Sequence, residues 1–136
     1  MLFRSHILLL VTCSAASASL AFAQSGGAPA EPKTYSEALK FAQELDNTRE
    51  GQLYERAVFE VIRPVLVQAL EHCAKQKDAG KQFRLEFYIH GAKIVKVFPE
   101  PEQPIAACYA PHFLDIALPS APAETWVVSV HVTLAP

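Results

Sequence analysis

The sequence has no long run of charge of one sign. No stretch of like charge exceeds two residues, and Lys+Arg (12) fall short of Asp+Glu (14). A nucleic-acid binder needs a basic stripe and an anionic membrane surface attracts a basic patch, so neither partner is expected. Catalytic signatures are also missing: there is no nucleophile elbow, no Gly-rich phosphate loop and no paired-carboxylate motif. His72, His90, His112 and His131 show no H-x3-H or H-x-H spacing, and a metal centre needs three or four convergent ligands. No metal, cofactor or catalytic residue is therefore expected. Long apolar runs are absent too: Ile7–Val11 is well short of the ~20 residues that span a bilayer.

What the chain does have begins with a leader. Arg4 precedes that short apolar run, and a small-residue stretch ends in Ala21-Phe22-Ala23. Small residues at the −3 and −1 positions suit signal peptidase, which predicts cleavage before Gln24 and export to the periplasm. Residues 1–23 read as the signal peptide, and no membrane span is expected after its removal. Cys13 suggests a lipoprotein alternative, but Thr12 is bulky for the position before a lipidated cysteine. Ser25-Gly26-Gly27-Ala28-Pro29-Ala30 has nothing to bury, so residues 24–33 read as a flexible leader to one domain over 34–136.

Removing the leader also removes Cys13 and leaves Cys73 and Cys108. An even pair in an exported domain is normally a disulfide. Closing that loop is worth about 4 kcal/mol on chain-entropy arithmetic, comparable to the whole stability of a small domain. The neighbouring Glu71-His72-Cys73 raises the question of a thiol nucleophile with its base. Consecutive helical residues point about 100° apart, however, and Cys73 lies on the apolar stripe while Glu71 and His72 lie off it. A structural cross-link is the expected reading.

Thr34 and Glu37 form a capping box ahead of Tyr35, Ala38, Ala42 and Leu45, which predicts a first helix ending near Asp46-Asn47. Its Ala-rich stripe is expected to dock loosely. A second helix is predicted from Gln52 to Lys77, with Val58, Ile62, Val65, Ala69 and Cys73 inward. Pro64 is expected to kink or divide it, and Gly80 to stop it. From Phe83 the period changes to two: Phe83, Leu85, Phe87 and Ile89 alternate with Arg84, Glu86, Tyr88 and His90. Gly91-Ala92 makes the hairpin turn, and Ile94–Phe98 returns as the second strand. A third helix is predicted from Pro104 to Leu118, bent at Pro111. A last strand carries Trp126, Val128, Val130, Val132 and Leu134 on one side.

The order α-α-β-β-α-β predicts an α+β domain in which helices cover one face of a three-stranded antiparallel sheet. Tyr88, His90, Val127, His131 and Thr133 would then point away from the helices. Aromatic and imidazole side chains suit recognition, so Tyr88, His90 and His131 form the candidate partner-binding face. Pairing of a partner's extended segment with the sheet edge is a second route.

The stretch "FRLEFYIHGAKIVKVFPEPEQPIAACYAPHFLDIALPSAPAETWVVSVHVTL" resembles the carboxy-terminal domain of TonB and its AgmX/PglI-like relatives. The matching positions are Cys73, Gly91, Ile94, Val97, Cys108, Leu118-Pro119 and Trp126–Val132, within residues 58–134. The resemblance implies a non-enzymatic periplasmic domain that recognises an envelope or periplasmic protein, often through a strand edge. The chain departs from TonB in lacking a retained anchor and a long proline-rich spacer, so energy transduction is not implied. A small exported, stapled domain also suits an inhibitor or immunity protein that neutralises an envelope-acting enzyme or toxin.

Overall fold

The computed structural model describes residues 30–75 and 82–134. The expected signal peptide, its cleavage site and the Gly80 stop lie outside them. The element order is the expected one: α1 (Tyr35–Asp46), α2 (Arg49–Cys73), β1 (Gln82–His90), β2 (Lys93–Glu100), α3 (Pro104–Tyr109) and β3 (Thr125–Thr133). The class is α+β, with a three-stranded antiparallel sheet in the order β2-β1-β3.

Local chemistry sets most boundaries. Thr34 Oγ1 accepts from the Glu37 amide at 3.3 Å, as a capping box requires. Glu37 returns its carboxylate to the Lys33 amide at 2.7 Å rather than to Thr34. Order reaches back into the expected leader, since Pro32 is buried and Glu31 Oε1 lies 3.8 Å from Lys96 Nζ. Helix α2 starts earlier than the apolar periodicity indicates because Thr48 caps it, accepting from the Gly51 amide at 2.9 Å. Gly51 is needed there: a Cβ would run into the Leu45 carbonyl oxygen at the α1–α2 corner. Pro64 is exposed on the solvent side and α2 passes through it as one helix.

The hairpin turn places Gly91 at φ 55° and Ala92 at φ 62°, the two positive φ values that a two-residue type I′ turn demands. The expected third helix is cut short. α3 ends at Tyr109 and continues as one 3₁₀ turn over Ala110–Phe113. Pro111 has no N–H with which to extend an α-helical ladder, and Leu114 turns extended with ψ 141°.

Residues of period two divide the sheet between two cores. Phe83, Leu85, Phe87 and Ile89 face α2 and α3, together with Ile94, Trp126, Val128 and Val130. Phe87 packs on Phe113 with ring centroids 4.9 Å apart, and Phe83 on Tyr109 at 5.1 Å. α2 and α3 thus cover one face, as the pattern predicts. The opposite face is not open. α1 lies on it, packing Ala38 and Ala42 against Tyr88, Phe98 and Val127. The stripe that suggested loose docking does the reverse, since alanine lets a helix backbone approach the sheet closely. The domain is a three-layer sandwich with the sheet in the middle.

Candidate partner-binding surface

The second core relocates the candidate face. Tyr88 is only 3 % exposed, held under α1, and it is not available to a partner. The alternation along β1 puts it on the side away from α2 and α3, but the first helix occupies that side. His90 and His131 remain exposed at opposite ends of β1. His90 pairs in register with Thr125, and its Nε2 lies 3.4 Å from Glu124 Oε1. His131 pairs with Arg84, six positions away along β1, and its Nε2 accepts from Arg84 Nε at 3.3 Å. Six strand residues separate the two imidazoles by about 20 Å, with α1 between. The structure does not bring Tyr88, His90 and His131 into one surface.

Between those ends lies a buried carboxyl. Glu86 is 0 % exposed, and its Oε2 accepts from Ser129 Oγ at 2.5 Å. Its Oε1 has no hydrogen-bond partner among the described residues. Burial pushes the Glu86 carboxyl above its ordinary value. The Ser129 hydroxyl opposes that rise, the charge of Asp46 adds to it, and Arg84 opposes it. Strand alternation placed Glu86 outward, and nothing local indicated that α1 would seal it.

The cysteines fall where the sequence put them. Cys73 closes α2, Cys108 lies on α3, and their sulfurs sit at bonding distance with Cα atoms 5.8 Å apart. Their juncture gathers two side chains that spacing alone did not connect. His72 and His112 stack edge to face with ring centroids 5.2 Å apart. One signal was available: His112 follows Cys108 by four residues, so any helical turn puts both on one side.

The sheet's two edges differ. The start of β2 is covered by the segment after the 3₁₀ turn: the Ile94 amide donates to Ile116 O, and the Leu118 amide to Ala92 O at 2.8 Å. Further along, Pro99 removes a donor, a common way of blunting an edge. β3 has neither device. Along Thr125–Thr133 the only backbone pairing among the described residues is to β1. Beside this edge runs a shallow groove of about 220 Å³, with Leu66, Val67 and Leu70 of α2 facing Val132 and Leu134. Val67 and Leu70 stay 54 % and 43 % exposed, so the groove is apolar and open to solvent. No helix among the described residues is long and apolar enough to cross a membrane. Comparison of the chain with protein-family models, with curated proteins and with solved structures finds no match.

Proposed function

We propose that the chain is an exported, non-catalytic protein-binding domain that takes an extended segment of an envelope or periplasmic protein onto the β3 edge. The observation that carries this reading is the nine-residue β3 edge, unpaired on its outer side among the described residues and flanked by the exposed Val67 and Leu70. Backbone pairing supplies affinity that does not depend on sequence. Alternate side chains of the added strand enter the groove and supply preference for apolar residues at every second position. The TonB-like resemblance supports the same use of a strand edge, and the Cys73–Cys108 pair suits an oxidising compartment.

Cross-linking from defined positions tests this. A photoreactive side chain at Val67 or Thr133 should give a discrete adduct in periplasmic extract. The same group at Glu60, on the solvent side of α2, should give none. Val67→Asp together with Leu70→Asp should abolish the adduct while leaving the fold intact. Equal labelling from Glu60, or an adduct that survives the Asp pair, would remove the β3 edge as the binding surface.

A further inference from the structure

Three metal-binding side chains meet where α2 packs against α3, beside the buried Cys73. His72 and Cys73 end one helix, and Cys108 and His112 lie one turn apart on the other. The potential ligand atoms of His72, Cys108 and His112 all lie within 4.8 Å of one another, and none of the three residues is fully buried. A tetrahedral zinc ion with Zn–N near 2.0–2.1 Å and Zn–S near 2.3 Å separates its ligand atoms by roughly 3.3–3.8 Å. Closing that gap takes about an ångström. His72, exposed at the end of α2, has the freedom to supply it.

With Cys73 and Cys108 bonded to each other, neither sulfur is a thiolate, and only the two imidazoles remain as good ligands. We infer that this junction is a redox-gated zinc site: reduction of the Cys73–Cys108 disulfide frees Cys108 to complete a ligand set of His72, Cys108 and His112. Two imidazoles with one thiolate, and water in the fourth position, suit zinc(II). The reductant is a dithiol. One of its thiolates attacks Cys108 Sγ, because Cys108 is half-buried whereas Cys73 is sealed in the core. The S–S bond breaks, Cys73 leaves as a thiolate, and a mixed disulfide forms at Cys108. The second thiolate of the reductant then displaces Cys108 and closes the reductant's own disulfide. Two electrons have passed to the protein; zinc(II) takes the Cys108 thiolate, Cys73 takes up one of the reductant's two protons as a buried thiol, and the other proton goes to solvent. Zinc and the disulfide are alternative staples for one helix junction. The metal would hold α2 to α3 wherever the chain is met before oxidation.

The test compares the purified chain in its oxidised form and after anaerobic reduction with a phosphine, each loaded with zinc and dialysed. The reduced chain should retain one zinc and the oxidised chain none. Cobalt(II) in place of zinc should show thiolate-to-metal charge transfer and tetrahedral ligand-field bands in the reduced chain only. His72→Ala with His112→Ala should leave the melting temperature of the oxidised chain unchanged. In the reduced chain the pair should weaken zinc retention by more than the ~100-fold that loss of a merely supporting contact costs. If reduction alone unfolds the chain, zinc should restore its far-ultraviolet dichroism and raise its melting temperature. Failure of that rescue, no zinc in the reduced chain, or equal retention by the histidine variant would overturn the site. Equal retention by the oxidised chain would overturn the gating.

Discussion

Ser129 donates its hydroxyl to Glu86 at 2.5 Å beneath α1, and the other Glu86 oxygen meets no donor among the described residues. A carboxyl in that setting is easier to keep protonated than charged. Burial raises its pKa above the ordinary 4.5, with Asp46 and Glu55 adding to the rise and Arg84 opposing it. Between the unfolded and folded values the native state therefore binds more protons than the unfolded chain, so stability falls as pH rises. This contribution is fully present below about pH 4.5 and is lost as pH passes through the higher folded value. Glu86→Gln keeps the acceptor for Ser129 and cannot ionise. It should raise stability at pH 7 and flatten this limb of the pH profile. Urea denaturation of both proteins from pH 4 to pH 8 checks it, and a variant less stable than the parent at pH 7 would contradict the sealed-carboxyl account.

Two residues proposed for one face should behave oppositely. Tyr88 is buried against Ala38, Ala42 and Val127, so Tyr88→Ala should cost about 3 kcal/mol and loosen α1. His131 is exposed, and His131→Ala should stay within ~0.5 kcal/mol. Phe87→Ala, on the other side of the same strand, should cost roughly 3–5 kcal/mol because it opens a cavity against Phe113. Amide hydrogen exchange separates the first from the third. Tyr88→Ala should speed exchange mainly in α1, whereas Phe87→Ala should speed it throughout.

Gly51→Ala inverts the usual propensity rule. Alanine exceeds glycine by about 1 kcal/mol in a helix interior, and Gly51 lies within the first turn of α2. Here the added Cβ meets the Leu45 carbonyl oxygen and the Thr48 Oγ1 that caps the helix. The substitution should therefore destabilise the domain by about 1–2 kcal/mol, the scale of a lost N-cap. Thermal unfolding monitored by circular dichroism reads it directly. A rise in melting temperature would mean that the α1–α2 corner relaxes freely.

The parts of this fold that were legible are those encoded locally. Period-two alternation from Phe83 to His90 marked β1, Thr34 marked the start of α1, and Gly91-Ala92 marked the turn. The cysteine pair was legible because the expected removal of a leader would leave only Cys73 and Cys108. Where α1 lands was not legible. A stripe of Ala38 and Ala42 carries little apolar surface to rank one sheet face over the other, and that choice decides whether Tyr88 and Glu86 are exposed or sealed. Tyr88 is lost from the candidate face for that reason, while His90 lies six residues along β1 from Arg84, the register partner of His131. The extent of α3 was misjudged because Pro111 was read as a bend, whereas a missing amide followed by extended backbone at Leu114 ends the helix. His72 and His112 meet only once α2 and α3 are docked, a relation between helices that no local spacing displays.

The link between those helices gives the most direct measurement of all. Cys73 is sealed in the main core, and its partner on α3 is the neighbouring Cys108. In the unfolded, unreduced protein that begins at Gln24, thiol titration should therefore find no free thiol, and two reactive thiols per chain would overturn the cross-link. Opening the loop in metal-free buffer returns entropy to the unfolded chain, so reduction should lower stability by about 4 kcal/mol. If that loss were carried by native contacts instead, Cys73→Ala with Cys108→Ala would cost further for the cavity left at Cys73. Comparing the reduced parent with the double variant by urea denaturation separates the two contributions. Equal midpoints would assign the loss to the loop, and a lower midpoint for the variant would measure the packing of the Cys73 side chain.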